Sequence, residues 1–150
     1  MDVRELVDRW VESFRNQDLE SLAETVHPDF VEIYPQSGEL IRGIENLRAM
    51  VSAYPGLPHG EVLHTSGGEP TRTDVIPSPL PFRLPIIQVS EGGQSFTVES
   101  LMEYPNGDRY YGVSIGELKD GKVLKVTSYF ATPFEAPAWR APYVEKIAEA

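Results

Sequence analysis

The chain has 150 residues, a formal net charge of −10, and is 41% hydrophobic and 24% charged. Such a chain is expected to fold as one soluble domain over 1–150 with a substantial core, and its acidity excludes the basic surface that nucleic acid requires. It has no cysteine, which rules out disulfides and thiolate chemistry, and its three dispersed histidines without paired carboxylate spacing argue against a metal site.

Val3, Leu6, Val7, Trp10, Val11 and Phe14 repeat at helical spacing, with Arg4, Glu5, Asp8, Arg9 and Glu12 spread over the other face. This predicts an amphipathic helix that ends at Asn16-Gln17. Asp18 is placed to cap a short second helix carrying Leu19, Leu22 and Val26. His27-Pro28 closes it, because the residue before a proline is pushed out of the α region. No basic-then-apolar leader opens the chain and no apolar run reaches membrane length, so a cytoplasmic protein is expected.

Phe30 to Tyr34 reads as a short strand, with Glu39 to Arg42 as its returning partner. Gly43 opens a third helix bearing Ile44, Leu47, Met50, Val51 and Tyr54, which Pro55-Gly56 ends. Glu61 to Thr65 is a strand turned by Ser66-Gly67-Gly68. The segment 75–85 holds four prolines, too many for a central strand, so it is a stiff loop or edge. Ile86 to Ser90, Ser95 to Tyr104 and Arg109 to Leu118 follow as strands. Alternation puts Phe96, Val98, Met102 and Tyr104 on one face, with Thr97, Glu99 and Glu103 on a solvated or dimer-facing side. Lys119-Asp-Gly-Lys122 then makes a tight hairpin into a long strand ending near Ala131. The tail is extended, with a helical turn or two from Val144. Helices first and antiparallel strands after them give an α+β fold with the helices on one face of the sheet.

The last strand carries a conflict. Val123, Lys125, Thr127 and Tyr129 form one face; Leu124, Val126, Ser128 and Phe130 form the other, and polarity assigns the second to the core. A bulge before the strand's end would let both faces contribute.

Four pieces, in this order and spacing, resemble the nuclear transport factor 2-like superfamily and its SnoaL-like branch. They are Trp10-Val-Glu-Ser-Phe-Arg-Asn-Gln-Asp-Leu19, Ile41-Arg-Gly-Ile-Glu-Asn-Leu47, Tyr54-Pro-Gly56, and the hairpin through Tyr129-Phe-Ala-Thr-Pro-Phe134. Tyr104-Pro-Asn-Gly107 and Glu117-Leu-Lys-Asp-Gly-Lys122 add a likeness to the phenazine biosynthesis A/B proteins. The resemblance implies a cone-shaped curved antiparallel sheet around the N-terminal helices, a hydrophobic interior pocket, and a homodimer through the outer sheet face. It also turns Tyr129 inward. Catalytic residues do not carry over: the phenazine proteins' glutamate falls at Tyr129 and their histidine and serine at Met50 and near Tyr54. The base of the ketosteroid isomerases falls at Ile33 or Tyr34, their tyrosine at Trp10 and their second aspartate near Ser114.

What the resemblance implies about chemistry is cofactor-free proton transfer on an apolar carbonyl or aromatic substrate, as an isomerase, cyclase or dehydratase. Glu32 and His64 are the candidate bases and Tyr129 the pocket donor, with Tyr34, Tyr54 and Ser114 as further polar contacts and Trp10, Phe14 and Met50 as apolar lining. Plainer roles stand beside these: a solvated strand glutamate for Glu32, a satisfied core or rim histidine for His64, rim or core tyrosines, and helix packing for Trp10, Phe14 and Met50. The proline-rich 75–85 segment would lid the pocket or protect an edge. An accessory protein that binds a small ligand without catalysis is the alternative function. An epoxide hydrolase of this fold would need an Asp–Arg–Asp set, and no aspartate falls on a predicted strand.

Overall fold

The computed structural model describes residues 2–53, 59–67, 73–75, 95–104 and 106–146. The first helix, α1 (Val3–Asn16), starts where the Asp2 carboxylate accepts the Glu5 N–H at 2.8 Å. It stops at Gln17, whose φ of 51° turns the chain into left-handed space. Asp18 caps α2 (Leu19–Thr25) by accepting the Ser21 N–H at 3.1 Å, as its position predicts.

Helix α2 is shorter than expected. Val26 is already extended and opens β1 (Val26–Tyr34), so His27-Pro28 lies within a strand rather than closing a helix. The register of β1 shifts between Val26 and Val31. A proline in such an irregular stretch removes no ladder hydrogen bond. His27 is 9% exposed. Its Nδ1 accepts the Asp29 N–H at 3.0 Å, and its Nε2 lies 3.6 Å from an Asp120 carboxylate oxygen.

β2 (Glu39–Arg42) returns antiparallel to β1, and α3 (Gly43–Ser52) follows. β3 (His59–Gly67), β4 (Thr73–Val75), β5 (Ser95–Glu103), β6 (Arg109–Lys119) and β7 (Lys122–Ala131) complete a seven-stranded sheet in the order β2-β1-β7-β6-β5-β3-β4. Only β1 and β7 pair in parallel among the described strands. β3 continues through Ser66 to Gly67, where a turn was expected, because both residues pair with β5. Val75, placed at the start of the proline-rich segment, closes β4 instead. β5 lies between β6 and β3, so Glu99 is on an interior strand and not an edge; burial raises its pKa. A 3-10 turn at Ala138–Tyr143 occupies the tail, and Val144 to Lys146 are not helical as expected. Tyr54, the Pro55-Gly56 stop, the rest of the 75–85 segment, the expected 86–90 strand and the last four residues lie outside the described residues.

The β6–β7 hairpin follows the sequence closely. Asp120 and Gly121 both have positive φ, 52° and 72°, the pair a two-residue primed turn demands. One residue beyond the turn, Leu118 pairs with Val123 but Glu117 pairs with Lys125, leaving Leu124 as a bulge. The bulge therefore lies at the beginning of β7 and not near its end. Past it Val126 and Ser128 are buried, while Tyr129 is 44% exposed. Polarity, and not the resemblance, identifies the inward face.

Helices and sheet share one core. Leu6, Val7, Trp10, Leu22, Leu47 and Val51 from the helices meet Val26, Phe30, Phe96, Val98, Leu118, Val123 and Val126 from the strands. Phe96 lies flat on β6 because its neighbour there is Gly116; a Cβ at that position would come within 2.1 Å of the ring. The architecture is α+β, with the helices packed on the inner face of the sheet. Among the described residues no helix is long and apolar enough to cross a membrane.

Candidate functional site

Along β1, Phe30 and Glu32 are buried and Tyr34 half-buried, so alternation turns this glutamate onto the same face as the core. Glu32 pairs with Val126 across the parallel β1–β7 ladder, which places Ser128 two residues further along the same face. Ser128 in turn pairs with Ser114 on β6. A polar row thus crosses three adjacent strands. Ser128 Oγ donates to Glu32 Oε1 at 3.3 Å, and the Ser114 and Ser128 hydroxyls are 2.8 Å apart.

The carboxyl of Glu32 is 5% exposed, and its Oε2 has no hydrogen-bond partner among the described residues. Burial pushes its pKa up to about 7, because desolvation penalises the charged form more than the hydrogen bonds of Tyr34 and Ser128 favour it. Of the two hydrogen bonds that favour the charged form, that of Tyr34 is the larger. A carboxyl of this kind both takes and returns a proton near neutral pH.

Above the same face of the sheet, α1 presents Trp10. Its ring meets Phe14 edge-on at 5.2 Å and Phe96 at 5.6 Å, and it is 5% exposed. Its indole Nε1 is buried without a partner among the described residues. Buried polar atoms normally find partners, so an orphan donor and an orphan carboxyl oxygen inside one apolar core are a departure that a bound molecule would repair. Glu32 belongs to a row whose next members are Val126, Gly116 and Phe96. Trp10 rests on the last of them, and the row members between are Val126 and Gly116.

The other expected site residues divide in two. Ser114 joins Glu32 through Ser128. Tyr34 closes the same strand and packs on Phe130 with ring centroids 5.9 Å apart. Phe14 and Met50 are half-buried against the core. Tyr129 is not brought to this group: its neighbours Ser128 and Phe130 take the inner face, and it lies outside. His64 is on β3, where a register shift after Val62 sets it opposite Glu99 and Val62 opposite Ser100, two residues on opposite faces of β5. The His64 side chain, like Tyr54, lies outside the described residues. Asp29 is an aspartate on a strand, contrary to expectation, but its side chain is exposed. Among the described residues no three His, Asp or Glu side chains gather as a metal set.

Ser128 is the member that sequence reading missed. Its one signal was a serine interrupting the apolar face Leu124, Val126, Phe130. A serine on a strand is ordinarily tolerated as a small polar residue, and nothing local ties it to a glutamate 96 residues away.

A family model of the SnoaL-like domain matches residues 7–68. An NTF-2 like protein of unknown function from Burkholderia xenovorans LB400 is 32% identical, with 97% of this chain and 94% of that chain covered and a TM-score of 0.70. A candidate ketosteroid isomerase from Kribbella flavida DSM 17836 is 22% identical, with 97% and 89% covered and a TM-score of 0.74. An LEH-like epoxide hydrolase of M. tuberculosis is 15% identical, with 85% and 80% covered and a TM-score of 0.56. The last two likenesses are likenesses of fold. No curated protein matches the chain.

Proposed function

We propose that this chain, which belongs to the NTF2-like superfamily, moves a proton on a small apolar carbonyl or aromatic substrate without a cofactor, as an isomerase, cyclase or dehydratase. The observation that carries this reading is Glu32: a carboxyl buried among apolar side chains, titrating at about 7, with one oxygen held by Ser128 and the other without a hydrogen-bond partner among the described residues. Perturbed titration inside a desolvated site is what general acid–base catalysis needs.

In this reading Oε2 of ionised Glu32 removes a proton from the carbon next to a carbonyl. The electron pair of the broken C–H bond moves into the carbonyl, whose oxygen gains the charge. Protonated Glu32 then returns the proton to the same carbon or to a conjugated one, which completes an isomerisation. Alternatively the enolate expels a β-hydroxyl, the C–O bond breaking as protonated Glu32 gives its proton to the leaving oxygen, and release of water completes a dehydration. The apolar side chains of Trp10, Phe14 and Phe96 favour a substrate with a hydrophobic or aromatic body. An accessory binding protein would gain nothing from a glutamate that is costly to ionise, so the buried carboxyl supports the enzyme reading over that alternative.

Proton exchange tests it without knowledge of the product. A panel of steroid, polyketide-like and aryl ketones is incubated with the protein in D2O, and loss of the α-proton signal is followed by NMR. Exchange should occur with at least one ketone and fall by about 10²–10⁴-fold in Glu32→Gln. Equal exchange in the variant overturns the assignment. A ketone that binds but is not exchanged by the native protein favours the accessory role.

A further inference from the structure

We infer that Ser128 and Ser114 are a positioning pair: two hydroxyls in series that hold Oε1 of Glu32 and leave Oε2 as the oxygen that exchanges protons. The inference rests on the proposed role of Glu32 and adds to it the question of which oxygen works and what fixes the carboxyl.

The geometry fixes the direction of the chain. Ser128 has one hydroxyl proton, and when it donates to Glu32 Oε1 at 3.3 Å it has none left for Ser114. Ser114, 2.8 Å away, must then be the donor to Ser128. Ionised Glu32 therefore orders both hydroxyls as Ser114 to Ser128 to Glu32. In such a series each hydrogen bond polarises the next, so Ser114 strengthens a bond it does not itself make. Protonation on Oε2 leaves this order intact. Protonation on Oε1 would force Ser128 to give up its donation and both hydroxyls to rotate. The pair thus keeps Oε1 an acceptor and directs the mobile proton to Oε2.

The surroundings leave this task to hydroxyls, those of the two serines and that of Tyr34. From its own strand, Tyr34 faces the carboxyl; from β7 and β6 the facing polar groups are Ser128 and Ser114. β2 offers Ile41 at the position paired with Glu32. On α3, Arg48 pairs with Glu45 and Glu20 and not with Glu32. α1 contributes Trp10, a neutral donor. Among the described residues no charged side chain acts on the titration of Glu32. Pairing through the β6–β7 ladder also holds the two serines at a fixed separation, since Ser114 and Ser128 are direct register partners.

Direct titration tests the pair independently of catalysis. Protein labelled with [δ-13C]glutamate is titrated by NMR, with Glu32→Gln identifying the Glu32 resonance. Ser128→Ala should move the Glu32 midpoint upward by about one unit, because a donor to the ionised form is lost. Ser114→Ala should move it the same way by less, and Ser128→Thr, which keeps the hydroxyl on a strand-compatible side chain, should restore it. A role in packing alone would leave the midpoint where it is in both alanine variants, and that result overturns the inference. If Ser128→Ala fails to fold by circular dichroism, Ser114→Ala decides, because it leaves Ser128 and its contact in place. A moved midpoint with no Glu32-dependent exchange of any ketone refutes the proposed chemistry and not the pair. Glu32-dependent exchange with an unmoved midpoint refutes the pair and not the chemistry.

Discussion

Close to the Asp120-Gly121 turn, β6 and β7 present Leu118, Val123 and Val126 to the helices, all buried and all apolar. Further along the same two strands, Ser114 and Ser128 face inward and meet a glutamate. The first region is ordinary core, in which each buried group is favourable at any pH. The second contains a carboxyl that resists ionisation and an oxygen with no hydrogen-bond partner among the described residues. Two strands in one ladder therefore carry a stabilising end and a costly end. A cost of that kind persists in a fold when the group that causes it is used.

The largest effect should come from the apolar end. Phe96, fully buried against Gly116 and under Trp10, should cost about 4 kcal/mol when replaced by Ala, measured by urea unfolding. The loss should be the same at pH 5 and pH 8, because no titrating group is removed. A strongly pH-dependent loss would show that the two regions are not energetically separate.

Glu32→Gln should do the opposite at the polar end. The folded chain keeps the Glu32 proton up to about pH 7, whereas the unfolded chain releases it near 4.5. Between those values unfolding releases a proton, so raising the pH favours the unfolded state. The contribution of Glu32 is thus fully present below 4.5 and is lost as the pH rises through 7. At pH 8 the native carboxylate costs about 3 kcal/mol relative to a neutral group, and Glu32→Gln should gain a large part of that. The gain should vanish below pH 4.5. A variant equally stable with the native protein at pH 8 would mean that the carboxyl is not desolvated.

The smallest effect is expected at Tyr129, one residue from Ser128 but on the outer face. Tyr129→Phe should change stability by less than about 0.5 kcal/mol and leave ketone exchange unaltered. A marked fall in exchange would return this tyrosine to the Glu32 site and reverse the inward face of β7 assigned above.

The residues differ in how visible they were beforehand. Helix α1 was legible because its apolar stripe repeats every turn within fourteen residues, and the hairpin was legible because Asp120-Gly121 requires a conformation few other pairs tolerate. Glu32 was visible as a candidate, since it alternates with Phe30 and Tyr34. Its burial was not, for a strand's face is set by what packs on it. Ser128 was invisible for the same reason. Tyr129 was misread because the resemblance supplied a face without supplying the register of β7.

The sequence by itself determined helix α1, the turn and the set of residues able to move a proton, because those depend on spacing and dihedral preference within a few residues. Only the tertiary structure decided which of them meet. The parallel pairing of β1 with β7 brings Glu32 to Ser128 across 96 residues of chain. The single bulged residue Leu124 decides which half of β7 looks inward. Side chains alternate with a period of two, so one extra residue exchanges the faces of everything after it, and no local pattern records where that residue falls.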